Sequence, residues 1–146
     1  MKKWIALSLS LLLLLSGCAA APEVDVTALT DTLMEHASFD ETPSELERDV
    51  IAWRYGVSDD VEARVFVAGS TAEELCVMKA PDEKAAEAVF DLLSDHLAEM
   101  KDSYANYQPA EVTRLETAQL RRVGTCVVLL VSADERPAEV LDEYWK

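Results

Sequence analysis

Glycine, histidine and cysteine are all scarce in this 146-residue sequence, and each shortage removes a class of chemistry. The four glycines stand alone at 17, 56, 69 and 124, so no glycine-rich loop is available to cradle a phosphate. Two histidines, His36 and His96, and three cysteines, Cys18, Cys76 and Cys126, are too far apart in sequence to supply the paired ligands of a zinc site. No serine sits in a nucleophile elbow, and no alternating Asp/Asn loop with its glycine presents a calcium site. Basic residues are the other deficit. There are 13 against 28 acidic ones, and the formal charge of −15 argues against a nucleic-acid partner. Paired acids such as Asp59-Asp60 are too common in so acidic a chain to mark acid–base chemistry. No catalytic residue, metal or cofactor is assigned.

What is present begins at the N-terminus. Lys2 and Lys3 precede an apolar run from Trp4 to Leu15, and small residues Ser16 and Gly17 stand before Cys18, the layout of an export signal. The run is too short to cross a bilayer, which takes roughly twenty apolar residues as a helix. Leu15-Ser16-Gly17-Cys18 resembles a bacterial lipobox, which implies a diacylglyceryl thioether on Cys18 and a mature chain that starts there. Two acyl chains anchor stably where one is marginal. Residues 1–17 are thus read as a lipoprotein signal peptide, 18–25 as the lipidated cysteine and a short linker, and 26–146 as a single α+β domain. Removal of the two signal lysines takes the charge from −15 to −17, so the lipid and not the protein surface must hold the domain on the extracytoplasmic face of the membrane.

Down the chain, Asp25 can cap a helix from Val26 to about Ala37, with Val26, Leu29 and Leu33 on one face. Ser44-Glu45-Leu46-Glu47 reads as a capping box opening a second helix with Leu46, Val50 and Trp53 inside and Gly56 at its end. From Val61 the period becomes two, a strand to Val67, followed by a turn and a second strand from Leu75 to Ala80. The longest helix then begins near Asp82 and carries an apolar stripe through Ala86, Val89, Leu93, Leu97, Met100 and Tyr104. A helical turn around Glu111–Leu115 leads to a second hairpin, Thr117–Val123 and Thr125–Ser132, whose last strand is apolar on both faces and belongs in a covered, central place. Asp134 is placed to cap a final helix. The expected fold is α+β. It has about four antiparallel strands in two hairpin-plus-helix units, the helices packed on one face, with two N-terminal helices before them.

Four aromatics at helix ends, Trp53, Tyr55, Tyr104 and Tyr107, are the candidate interaction surface, with closure of the core as the competing use. His36 in a last helical turn suits the helix dipole, and His96 beside the long apolar stripe reads as half-buried and structural. Cys76 and Cys126 lie on strands whose pairing would leave a disulfide open, against two buried free thiols. The sharpest catalytic reading is a Cys76 thiol with His96 as base, which needs both to leave the core for a cleft. The reading that follows is a non-catalytic binding or interaction module of the envelope, anchored to the membrane through Cys18, with an envelope protein or polysaccharide as partner. A small-ligand or solute receptor and an unrecognised envelope hydrolase are the alternatives.

Tyr55-Gly56, Val61 to Ser70, Glu74 to Ala80 with Asp82, Tyr104 to Pro109, Leu115-Glu116-Thr117-Ala118, Gly124 and Val127 to Asp134 follow one another in order behind the lipobox. This succession resembles the bacterial lipoprotein family called domain of unknown function 4358. The resemblance implies a similar α+β fold and a Gram-positive envelope, and it brings no catalytic residues to carry over. Cys126 departs from the pattern, standing where an aromatic is expected after the glycine turn.

Overall fold

A strand alternates its side chains between two faces, so the run Val127-Val128-Leu129-Leu130-Val131, apolar at every position, has to be covered on both. The computed structural model describes residues 23–145 and shows how that is done. The signal segment, Cys18 and the linker as far as position 22 lie outside the described residues, as does position 146. In chain order the elements are α1 (Val26–His36), β1 (Ser44–Glu45), α2 (Arg48–Tyr55), β2 (Glu62–Val67), β3 (Glu74–Lys79), α3 (Glu83–Tyr107), α4 (Pro109–Thr117), β4 (Gln119–Val123), β5 (Cys126–Val131) and α5 (Pro137–Tyr144). The strands form one antiparallel sheet in the order β1-β2-β3-β5-β4.

Two cores result. Cys76, Met78, Val127, Leu129 and Val131 face α2, α3 and α4 and pack with Ile51, Val89, Leu93 and Leu115. Leu75, Val77, Val128 and Leu130 face the other way, against Val26 and Leu33 of α1, Leu141 of α5 and Trp145. All six residues of β5 are buried, as are the first five of β3. The helices therefore do not lie on one face, because a single layer would leave half of β3 and β5 in water.

The strand count also changes from four to five. Ser44 and Glu45 pair with Val67 and Phe66 as the short edge strand β1, so they are not the start of a helix. The capping box is not made: α2 begins after Glu47, with no side-chain cap. The two N-terminal helices do not both precede the sheet as expected, because β1 stands between α1 and α2. Asp134 does not cap α5 either. Its carboxylate accepts the Ser38 amide at 3.1 Å and the Ser132 hydroxyl at 2.7 Å, tying the loop after α1 to the end of β5. Caps do form where Asp25 accepts from the Ala28 amide and Asp82 from the Ala85 amide, at 2.9 and 2.8 Å.

The two ends of β3 differ. At one end the Lys79 ammonium lies 3.3 Å from the carboxylate of Glu23, the first described residue. Glu74 is at the other end, about 17 Å away at ~3.4 Å per residue. The chain thus enters the domain at the end of the sheet opposite Glu74.

Gly56 ends α2 with φ of 68°, a left-handed conformation that disfavours any side chain. An added Cβ would meet only Leu92 at an ordinary 3.8 Å, so the penalty is conformational and not steric crowding. Gly56→Ala is expected to lower stability by about 1 kcal/mol, read as a reduced urea midpoint at unchanged slope. An unchanged midpoint would contradict the left-handed cap.

Candidate functional site

Glu74 opens β3 on the same face as Cys76 and Met78, where alternation directs its side chain toward α3. It is 1% exposed. A carboxylate in that position needs donors, since desolvating it without them is expensive. His96 of α3 supplies one, its Nε2 lying 3.0 Å from Oε1 and 3.2 Å from Oε2. The Cys76 thiol donates to Oε1 at 3.1 Å. The Arg54 guanidinium of α2, 39% exposed, stands 3.6 Å from Oε2 and 5.7 Å from the centre of the Tyr55 ring. Tyr55 meets the His96 ring edge-on at 4.8 Å. Three elements thus converge on one buried anion.

Above this floor is an open cavity of about 520 Å³ between the end of α2, the second half of α3 and the β2–β3 loop. Trp53 and Tyr107 stand at its rim, 85% and 67% exposed. Tyr104 lies between rim and floor. Its ring is 5.0 Å from that of Tyr107, and its hydroxyl donates to the Thr71 carbonyl at 2.9 Å. Burial, followed by the neighbouring Tyr107 hydroxyl, pushes the Tyr104 phenol up to about 12, so it remains a donor at any physiological pH. Glu99 and Ser103 complete the α3 wall.

The opposite wall, residues 68–73, is fastened from behind by three more carboxylates. Glu73 is buried and accepts the Asp40 amide at 2.7 Å, the Glu41 amide at 3.0 Å and the Thr71 hydroxyl at 2.9 Å. Glu111 of α4 accepts the Ala72 amide and an Arg114 N–H, both at 2.8 Å. Arg114 also pairs with Asp40. Glu41 accepts the Ser70 hydroxyl at 2.6 Å and the amides of Ser70 and Gly69 at 2.9 and 3.0 Å. The Ser70 hydroxyl first, then these two amides, hold the Glu41 carboxyl below its ordinary value. A Cβ at position 69 would stand 3.0 Å from the Glu41 carboxylate, so a larger residue there would require that side chain to shift.

Of the four candidate surface aromatics, the structure brings Trp53, Tyr104 and Tyr107 to one cavity. Tyr55 is not on that surface: it is buried in the core, with its hydroxyl lacking a hydrogen-bond partner among the described residues. The face of α2 is reversed from expectation, since Ile51 and Tyr55 are inside while Val50 and Trp53 face solvent. Apolar residues on several sides of so short a helix made its inner face ambiguous. The cavity's buried acids went unrecognised because Glu73-Glu74 resembles many other acidic pairs here; the available signal was their place at the head of a strand otherwise wholly apolar.

Cys76 and Cys126 are both free and buried. Cys76 is opposite Leu129 and Cys126 opposite Lys79, three residues along β3 from Cys76, and the two thiols enter different cores. That offset of about 10 Å, with side chains on opposite faces, excludes the disulfide. Cys76 and His96 do meet, through Glu74, but only His96 lines the cavity. Burial, then the charge of Glu74, raises the Cys76 thiol well above its ordinary value, and burial pushes Cys126 up to about 12. Neither is a thiolate nucleophile in this arrangement. His36 lies elsewhere, its Nδ1 2.8 Å from the Thr32 carbonyl oxygen and its ring 4.2 Å from that of Tyr144. Among the described residues no three His, Cys, Asp or Glu side chains are grouped to hold a metal ion.

The arrangement defines a class: a mixed α+β domain whose helix-flanked antiparallel sheet carries an open, aromatic-rimmed groove over a buried carboxylate. The chain belongs to the family described as a domain of unknown function (DUF4358), whose model matches residues 37–132. That span contains the sheet, α2, α3, α4 and all the groove residues, and leaves out α1 and α5. No curated protein and no solved structure matches the chain.

Cys76 and Cys126 are expected to resist a thiol reagent in the folded protein and both to react after unfolding in urea. Rapid modification of Cys76 in the native state would contradict its place beneath Glu74.

Proposed function

We propose that the protein is a lipid-anchored, extracytoplasmic binding domain of the cell envelope, held by Cys18, with the groove between α2, α3 and the β2–β3 loop as its binding face. The observation that carries this reading is the exposure of Trp53 and Tyr107 at the mouth of a cavity whose walls are otherwise fixed by hydrogen bonds. Large exposed aromatics over a preorganised polar floor are what binding hot spots are made of. The buried, protonated Cys76 favours binding over nucleophilic catalysis.

The position of Glu23 supports the same reading. Glu23 and Lys79 mark the end of the sheet nearest the tether, and the groove is at the Glu74 end. The segment from Cys18 to Glu23 spans at most about 18 Å when extended. With that end toward the bilayer, the groove faces the envelope and not the lipid.

A photo-reactive residue at position 107 in the full chain, activated in whole cells, tests this. It is expected to give a discrete adduct that is lost when Cys18→Ala releases the protein from the membrane. The same residue at position 62, at the opposite end of the sheet, is expected to give none. Identical adducts from both positions, or retention of Cys18→Ala in the membrane fraction, would contradict the proposal.

A further inference from the structure

Carboxylates outnumber guanidinium groups among the residues that line the groove. Glu73, Glu74 and Glu99 line it against one guanidinium, that of Arg54. Glu73 is occupied by the Asp40 and Glu41 amides and the Thr71 hydroxyl, so its oxygens face the loop behind the wall. Glu99 is exposed and has no ion pair among the described residues. Glu74 is met by one imidazole and one thiol, and Arg54 stands off at 3.6 Å, beyond hydrogen-bond length. His96 directs Nε2 at Glu74, and its Nδ1 is left without a hydrogen-bond partner among the described residues. The floor and α3 wall therefore carry the Glu74 and Glu99 carboxylates against the Arg54 guanidinium, in a chain whose formal charge is −15.

We propose that this groove takes a lysine or arginine side chain carried on an extended segment of a partner polypeptide. Trp53 and Tyr107 support the segment, Glu99 draws the cation in, and the side chain reaches toward Glu74 and His96. An anionic ligand is opposed by the field of the whole domain. A neutral glycan can hydrogen-bond to the carboxylates but gains no long-range attraction from the domain's charge, whereas a cation is steered by it and is also attracted by aromatic faces. The inference rests on the groove being the binding face, as proposed above, and adds the chemistry of what fills it.

Trp53, exposed at the rim, is the reporter, and subtraction of a variant lacking it removes the emission of Trp145, buried in the other core, and of Trp4. The full chain in non-ionic detergent is titrated with an end-blocked, aromatic-free peptide containing two lysines, and the emission difference from a Trp53→Phe variant is followed. A saturable change is expected, weakened about tenfold by Glu99→Gln and by raised salt, and absent when the lysines are Nε-acetylated. Equal response to the acetylated peptide, or a response only to an uncharged oligosaccharide of N-acetylated amino sugars, would overturn the cation and leave the groove as a binding face. No response to any of the three probes would overturn both.

Discussion

The contact between Glu74 and His96 is the constraint on which the rest of the site depends. A carboxylate at 1% exposure is tolerable only where donors reach it. Here they come from two elements, a thiol two residues along the same strand and an imidazole from α3, with a guanidinium of α2 beyond them. The packing of Tyr55 on His96, and of Arg54 over Tyr55, follows from the same convergence. Breaking a buried pair by removing one partner strands the other, so the floor tolerates little movement of α3 relative to β3.

The surrounding fold supplies the rigidity. β3 lies at the middle of the sheet, between β2 and β5, and both of its faces are covered. At its head, where a strand would ordinarily loosen into a mobile loop, Glu41, Glu73 and Glu111 turn four backbone amides of the adjoining segments and the Ala72 amide into hydrogen-bonded ones. The acidic composition of the chain is therefore used in two ways. Some carboxylates fasten backbone, and others face the groove and the solvent.

Much of the fold was legible because its signals are local. Alternation over Val61–Val67, the apolar run of β5, the long stripe of α3 and the Asp25 cap each need only neighbours in sequence to be read. β1 was not, since two residues, Ser44 and Glu45, become a strand only by meeting Val67 and Phe66. The covering of both faces was implied by the apolar pattern of β5 but assigned to one, because two hairpin-plus-helix units suggest a single helical layer. The site was half legible. Its aromatic rim was named from helix ends, while its floor joins Arg54, Glu74, Cys76 and His96 from three elements, a grouping that no spacing in the chain announces.

The family match covers the groove and its supports and stops short of α1 and α5, so the helices that close the second core lie outside what the family model describes. The measurement that tests the account most directly is a double-mutant cycle of Glu74→Gln and His96→Gln, read by urea unfolding of the full chain. The structure predicts a coupling on the order of 1–2 kcal/mol, the value for contacting members of one buried network. Additive effects, with a coupling indistinguishable from zero, would mean that the two side chains do not hold each other and that the floor of the groove is not built as described.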